Sequence, residues 1–186
     1  MVRMASGVIT VDADVDPADL AATPLRMRKA LGRFASGVTI VTTAESESED
    51  NVHGMTANAF TSVSLDPPLV LVSISTRARM DTKIAETGRY GVSILAGDQE
   101  PLSLHFAGGT QQPDLVRFVW RTGVPLLEGA LVHLACTVID SHPAGDHTLH
   151  VGRVDQLWYD DGRPLVFYTG SFRALELQGR DDGWGF

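Results

Sequence analysis

From Val38 onward the chain is a succession of short runs rich in β-branched and apolar residues, each cut off by Gly, Pro, Asn or Asp. That pattern limits it to an antiparallel, mainly β fold. Strands are predicted at Val38–Thr43, from Val52 through Phe60, and at Leu69–Ile74, Tyr90–Leu95, Leu131–Ile139, His147–Tyr159 and Leu165–Tyr168. Leu69–Ile74 is almost continuously apolar, which predicts burial on both faces. Asp161-Gly162 is read as the hairpin turn joining the last two strands. Helical spacing is confined to short stretches. Leu25–Ala35 carries Met27, Leu31 and Phe34 and is expected to stop at Gly37, Ala78–Thr87 at Gly88, and a third helix is N-capped by Asp98 and reaches Phe106. Residues 107–129, rich in Gly, Pro and Gln, read as a long excursion. Six or seven strands with only short helices, and no G-x-G-x-x-G, exclude a Rossmann domain. An antiparallel barrel with two or three short helices plugging its ends is expected.

One folded domain is expected over 25–178. It is preceded by an acidic, mobile extension, 1–24, and followed by a tail, 179–186. The net charge of −8, from 15 basic and 23 acidic residues, argues against nucleic acid as a partner. The single cysteine, Cys136, excludes an internal disulfide and a cysteine-based zinc cluster; it lies in an apolar run and reads as a buried thiol. No run of eighteen apolar residues and no secretory signal are present in the sequence, so no membrane partner and a cytoplasmic location are expected.

The stretch Gly54-Met-Thr-Ala-Asn-Ala-Phe-Thr-Ser-Val-Ser-Leu-Asp-Pro-Pro-Leu69 is the most informative. If extended, it puts Thr56, Asn58, Phe60, Ser62 and Ser64 on one face and Ala57, Ala59, Thr61, Val63 and Leu65 on the other. The first face combines hydroxyls, an amide and one ring. The small side chains leave backbone groups open to a flat, polar-edged ligand. The same face could equally be a half-exposed strand whose hydroxyls meet water.

This stretch, Leu31-Gly-Arg-Phe-Ala-Ser-Gly-Val-Thr-Ile-Val-Thr-Thr43, Gly145-Asp-His-Thr-Leu-His-Val-Gly-Arg-Val154 and Phe167-Tyr-Thr-Gly-Ser-Phe-Arg173, in this order, resemble the flavin reductase-like family. The resemblance spans about residues 25–178. It implies a homodimeric split β-barrel with Greek-key topology and a few short helices. Such proteins bind FMN or FAD near the dimer seam, take hydride from NADH or NADPH, and supply reduced flavin to a separate flavin-dependent monooxygenase.

By the same resemblance, Thr56–Ser64 contacts the flavin. Thr56, Ala57 and Asn58 lie beside the ring and ribityl chain, Ser62 lies toward the phosphate, and Thr39, Ala59, Phe60, Val63 and Ser64 belong to the same surface. Arg77 and Arg79 are the cations available to the phosphate, or else plain surface charges. Ser103-Leu-His-Phe-Ala107 resembles a further flavin-side motif. It implicates Ser103, Phe106 and Ala107, although Phe106 serves equally well as core. His147 is implied at the nicotinamide position, with Tyr168, Gly170 and Arg173 near it. Gln111-Gln-Pro-Asp-Leu-Val-Arg-Phe118 departs from the family pattern at a place where a lysine is usual.

A metal site at His142, Asp146, His147 and His150 is the rival reading. In a strand His147 and His150, three apart, point to opposite faces, so no metal is expected. His133 reads as structural. Hydride transfer between two cofactors needs stacking and electrostatics more than acid–base groups, so no side chain is expected to be indispensable as a base. A flavin-binding carrier or sensor of the same fold is the alternative, and an oxidase acting on a pyridoxine-type phosphate is a third reading. FMN against FAD, and NADH against NADPH, are left open by the sequence.

Overall fold

The computed structural model describes residues 21–175 and, before them, only the backbone pairing of β1 (Met4–Ala5) with β2 (Val8–Ile9). The expected mobility of 1–24, apart from its last four residues, and the tail 179–186 lie outside the described residues. Seven strands form one antiparallel sheet: β4 (Thr39–Ala44), β5 (Val52–Ala57), β6 (Phe60–Leu65), β7 (Pro68–Ser75), β8 (Arg89–Ile94), β11 (Val132–Ala144) and β12 (His147–Tyr159). Their spatial order is β5-β4-β8-β11-β12-β7-β6. The two edge strands, β5 and β6, are consecutive in the chain and joined by Asn58-Ala59 alone. A sheet whose opposite edges are tethered by two residues has to curl until they meet. Among the described residues no ladder joins β5 to β6, so the barrel is split along that seam. Register shifts at Ala135/Cys136 and Val138/Asp140 supply the extra twist that curling requires. β8 lies between β4 and β11, and β7 beside β12, so neighbours in space are not neighbours in sequence, as in a Greek key.

Two cores result. Inside the barrel lie Val41, Val70, Val72, Ile74, Tyr90, Val92 and Cys136, closed at one end by Met80 and Ile84 from α2 (Arg79–Thr87). Each of the larger fully buried side chains here stabilises the fold by about 1.5–3 kcal/mol before entropy is counted. On the outer side of β4, Val38 and Ile40 join Leu95, Leu102, Leu127 and Leu165 in a second cluster. β4 is therefore covered on both faces, as is the middle of its neighbour β8. In β7 only Val70, Val72 and Ile74 are buried, while Leu69, Leu71 and Ser73 are half-buried, which corrects the reading of Leu69–Ile74.

Other expectations are corrected too. α1 (Pro24–Leu31) begins at a Thr23 cap and stops at Gly32, not Gly37, and buries none of its residues: Phe34 beyond it is 80% exposed. Its apolar spacing is real, but there is no core beneath it. Gly37 instead pairs in β3 (Ser36–Gly37). The predicted strand from Val52 through Phe60 divides into β5 and β6 at Asn58-Ala59. The excursion 107–129 holds a hairpin of β9 (Phe118–Arg121) and β10 (Val124–Leu127). It turns on Thr122 and Gly123, both at positive φ, and β10 is wholly buried. β13 (Leu165–Tyr168) does not pair with β12 across Asp161-Gly162. It joins β14 (Ser171–Ala174) and β3 in a separate three-stranded sheet. α3 (Glu100–Phe106) begins after Gln99, whose side chain accepts from the Ala96 N–H, and not after Asp98.

Tyr90 fills the barrel opposite Gly152: a Cβ on that glycine would sit 2.3 Å from the Tyr90 hydroxyl. Burial holds this phenol protonated and pushes the Cys136 thiol up to about 12. His133 Nε2 bonds the Leu127 carbonyl at 2.7 Å, a structural role. Gly152→Ala is expected to overpack the barrel and lower unfolding free energy by about 1–3 kcal/mol. Urea denaturation measures this, and an unchanged midpoint would contradict the packing described.

Candidate functional site

The Asn58-Ala59 joint positions the candidate site. β5 ends with Thr56 opposite Ile40, on the outer side of β4, and Ala57 opposite Thr39, on the inner side. Ala57 is therefore core, its carbonyl accepting from the buried Thr39 hydroxyl at 2.7 Å. Thr56 and Asn58 face outward into a cavity of about 350 Å³. The rest of the wall is Val38, Ser103, Leu104 and Ala107 from β4 and α3, and Phe167, Gly170 and Phe172 from the β13–β14 hairpin. That hairpin turns on Thr169 and Gly170, both at positive φ, so Phe167 lies directly opposite Phe172. Their rings meet edge to face at 5.5 Å. An aromatic and aliphatic wall with a few polar atoms at its rim suits a flat heteroaromatic ring.

One polar atom stands out. Ser103 is wholly buried, and its hydroxyl has no partner, although its carbonyl accepts from the Thr56 hydroxyl at 2.6 Å. A buried hydroxyl left unbonded costs free energy, and a ligand that supplies the partner recovers it. The walls and this orphaned donor fit an isoalloxazine ring, which is apolar in the middle and rich in acceptors at its pyrimidine edge.

Thr56, Asn58, Ser103, Ala107 and Gly170 are thus brought together around one cavity. The others are not. The expected single face breaks at the joint, where the chain changes sides, so Phe60 packs into the barrel core opposite Val72. A register shift between Ser62 and Ser64 divides the remainder of β6, and Ser62 and Val63 are exposed. Phe106 belongs to the second core and presses on Gly54, where a Cβ would lie 2.5 Å from its ring. Tyr168 points off the Phe167–Phe172 face and is 39% exposed, and the Arg173 guanidinium donates to the Phe172 carbonyl.

His147 and Arg77 form a second cluster, on the rim where β7 ends and β12 begins. Ser75 pairs with His147, and the Thr76 N–H donates to the Asp146 carbonyl. Along β7 this rim lies two residues beyond Ser73, whose N–H donates to the Ala59 carbonyl. His147 is 41% exposed, and its Nδ1 bonds Asp146 Oδ1 at 2.7 Å. That bond fixes the ring and directs Nε2 to any ligand. The His147 hydrogen bond and charge, with help from Arg77, hold the Asp146 carboxyl below the usual range. Arg79 instead faces β5: its charge, after burial, lowers the His53 pKa.

His150 faces the opposite way from His147 and is 1% exposed. Its Nε2 bonds Asp81 at 2.8 Å and its Nδ1 bonds Ser141 at 2.9 Å. Both nitrogens are spent inside the fold.

Sequence reasoning missed Val38, Leu104, Phe167 and Phe172. The aromatic pair carried a signal, since a two-residue turn at Thr169-Gly170 places 167 opposite 172. The role of Leu104 depended on how α3 docks and had no local signature.

The chain belongs to the flavin reductase-like family: residues 31–176 match the family's sequence model, described as a flavin reductase like domain. It is 85% identical over 164 residues to an NADH-dependent flavin reductase of Rhodococcus sp, covering 88% of this chain and 93% of that protein. It is 39% identical over 153 residues to the reductase component of 4-hydroxyphenylacetate 3-monooxygenase from Thermus thermophilus, covering 80% and 94%. Among solved structures it is similar to the NADH:FAD oxidoreductase SgcE6 of Streptomyces globisporus C-1027 in complex with NAD and FAD fragments. The TM-score is 0.77 at 36% identity, over 89% of this chain and 98% of that one.

Ser103→Ala separates a ligand-directed hydroxyl from a merely buried one. Thermal stability is expected to hold or rise slightly, because an unbonded buried group is removed, while flavin affinity falls about five- to tenfold. Unchanged affinity in a flavin fluorescence titration would take Ser103 out of the site.

Proposed function

We propose that this protein is an NADH-dependent flavin reductase that passes hydride to FMN or FAD and releases the reduced flavin to a separate monooxygenase. The observation that carries it is the cavity at the Asn58-Ala59 joint, with aromatic walls and an orphaned Ser103 hydroxyl. The similarity to an NADH-dependent flavin reductase at 85% identity supports the choice of donor. Bound flavin supplies the redox chemistry, and the chain's part is to bind, orient and keep water out. Phe167 and Phe172 wall the ring, Thr56, Asn58 and Ser103 meet its polar edge, and Ala107 and Gly170 leave room for it. Ala57, Ala59, Phe60 and Phe106 act beneath this surface by shaping the joint and α3.

His147, held by Asp146, is proposed to position the nicotinamide donor, with Arg77 adding positive charge at the same rim. In one chain this rim and the cavity are separate clusters. A homodimer, with the flavin near its seam, is the arrangement in which a second copy brings the one to the other. Large exposed apolar side chains such as Phe34 and Leu65, 80% and 90% exposed, support such a partner. Among the described residues no helix is long and apolar enough to cross a membrane. Work in the cytoplasm, where NADH is made, completes the proposal.

The test is oxidation of NADH, followed at its absorbance band, with FMN and with FAD. Catalytic turnover is expected, and flavin binding with no turnover would favour a carrier. His147→Ala is expected to raise the Michaelis constant for NADH roughly tenfold while leaving flavin affinity within twofold. An unchanged constant would remove His147 from the donor site. Light scattering on the full chain is expected to give twice the mass of one chain, and a monomer would refute the seam.

A further inference from the structure

In a chain with a net charge of −8, four of the 15 cations fall within eight residues, Arg26, Arg28, Lys29 and Arg33, with no acid between them. Arg28 and Lys29 occupy the last turn of α1, where the helix dipole alone favours cations. The tertiary structure adds what the dipole does not require. The Thr169 N–H donates to the Gly32 carbonyl at 2.7 Å, fastening the end of α1 to the β13–β14 turn. Arg33 folds back to donate to the Lys29 carbonyl at 2.6 Å. Between helix and turn lies a concave cleft of about 370 Å³ lined by Arg28, Lys29, Gly32, Arg33, Thr169 and Gly170. Gly170 lines this cleft and the aromatic cavity alike. At that shared residue φ is +80°, and a Cβ would meet nothing within 4 Å, so no side chain crowds the place where the two adjoin.

We infer that this cleft binds the diphosphate of a dinucleotide whose flat ring system lies in, or stacks over, the adjoining cavity. The inference rests on the proposed function and deepens it. Two arginines and a lysine line this one concave surface, and guanidinium and ammonium groups match phosphate oxygens in charge and, for arginine, in geometry. An acidic protein needs such a local reversal of potential to admit a polyanion. FAD and NADH both carry an ADP half, and the cleft chemistry is common to both. This role is separate from that of Arg77, which lies on the β7–β12 rim.

The experiment compares the full-length wild type with R28S/K29S, two exposed changes on a helix with no buried residue. Calorimetric titration uses ADP, FAD and riboflavin, and steady-state kinetics use NADH and the phosphate-free donor 1-benzyl-1,4-dihydronicotinamide. Wild type is expected to bind ADP, and the variant to lose about tenfold in ADP affinity, more at low salt than at high. If FAD is the source, its affinity falls in parallel while riboflavin's does not. If NADH is the source, its Michaelis constant rises about tenfold while that of the benzyl donor does not. The charge-retaining variant R28K/K29R should restore binding to within about threefold, and failure to do so would mean that shape rather than charge was lost.

The inference is overturned if wild type does not bind ADP, or if ADP, FAD and NADH behave identically in both proteins. Equal losses with riboflavin and the benzyl donor would also overturn it, since the ring cavity would then be what changed. Failure of the reductase reading shows differently: wild type would not turn over NADH with any flavin, while the ADP titration would still report on the cleft.

Discussion

A covalent tether of two residues, Asn58-Ala59, joins the two edge strands of a seven-stranded sheet, and most of the structure follows from it. It forces the sheet to curl and creates the inner core. It leaves β4 with its outer side against α3, the β9–β10 hairpin and the β13–β14 hairpin. Because the chain changes sides there, Thr56 and Asn58 look outward while Phe60 looks in. The proposed ligand site is therefore a by-product of barrel closure. The small side chains around the joint belong to the same constraint, since larger ones would obstruct the turn and the cavity at once.

Much of the fold was legible in the sequence because period and punctuation are local. The strand positions and α2, with its left-handed Gly88 cap, lie where β-branched runs and a terminal glycine place them. What was not legible depends on partners far along the chain. Nothing in Leu165–Tyr168 says that it pairs with Ser36–Gly37 and not with β12, because strand pairing is decided by tertiary competition. Nothing in Met27 and Leu31 says that their helical face meets no core. The excursion 107–129 hid a hairpin with one buried strand because its turn, Thr122-Gly123, pairs an uncommon left-handed threonine with glycine.

The same division runs through the candidate site. Thr56, Asn58, Ser103 and Ala107 were legible through the family motifs and meet in space, and Gly170, expected beside His147, joins them there instead. Phe167 and Phe172 were overlooked beside Tyr168 and Arg173, although hairpin register puts the two rings on one face. The basic end of α1 escaped because its meaning depends on the Thr169-Gly170 turn, about 140 residues away and fastened to it by one backbone hydrogen bond. The division of charge is also functional in form. An acidic chain concentrates cations at the edge of its apolar cavity, which suits a ligand with a flat ring and a phosphorylated tail.

The account's central claim is that an isoalloxazine ring occupies the cavity beside the joint. A crystal structure of the full chain grown with oxidised flavin tests it most directly. The ring should lie against Phe167 and Phe172, with Ser103 Oγ and Asn58 within hydrogen-bonding distance of its polar edge. A ring bound elsewhere, with this cavity filled by the chain itself, would contradict the account.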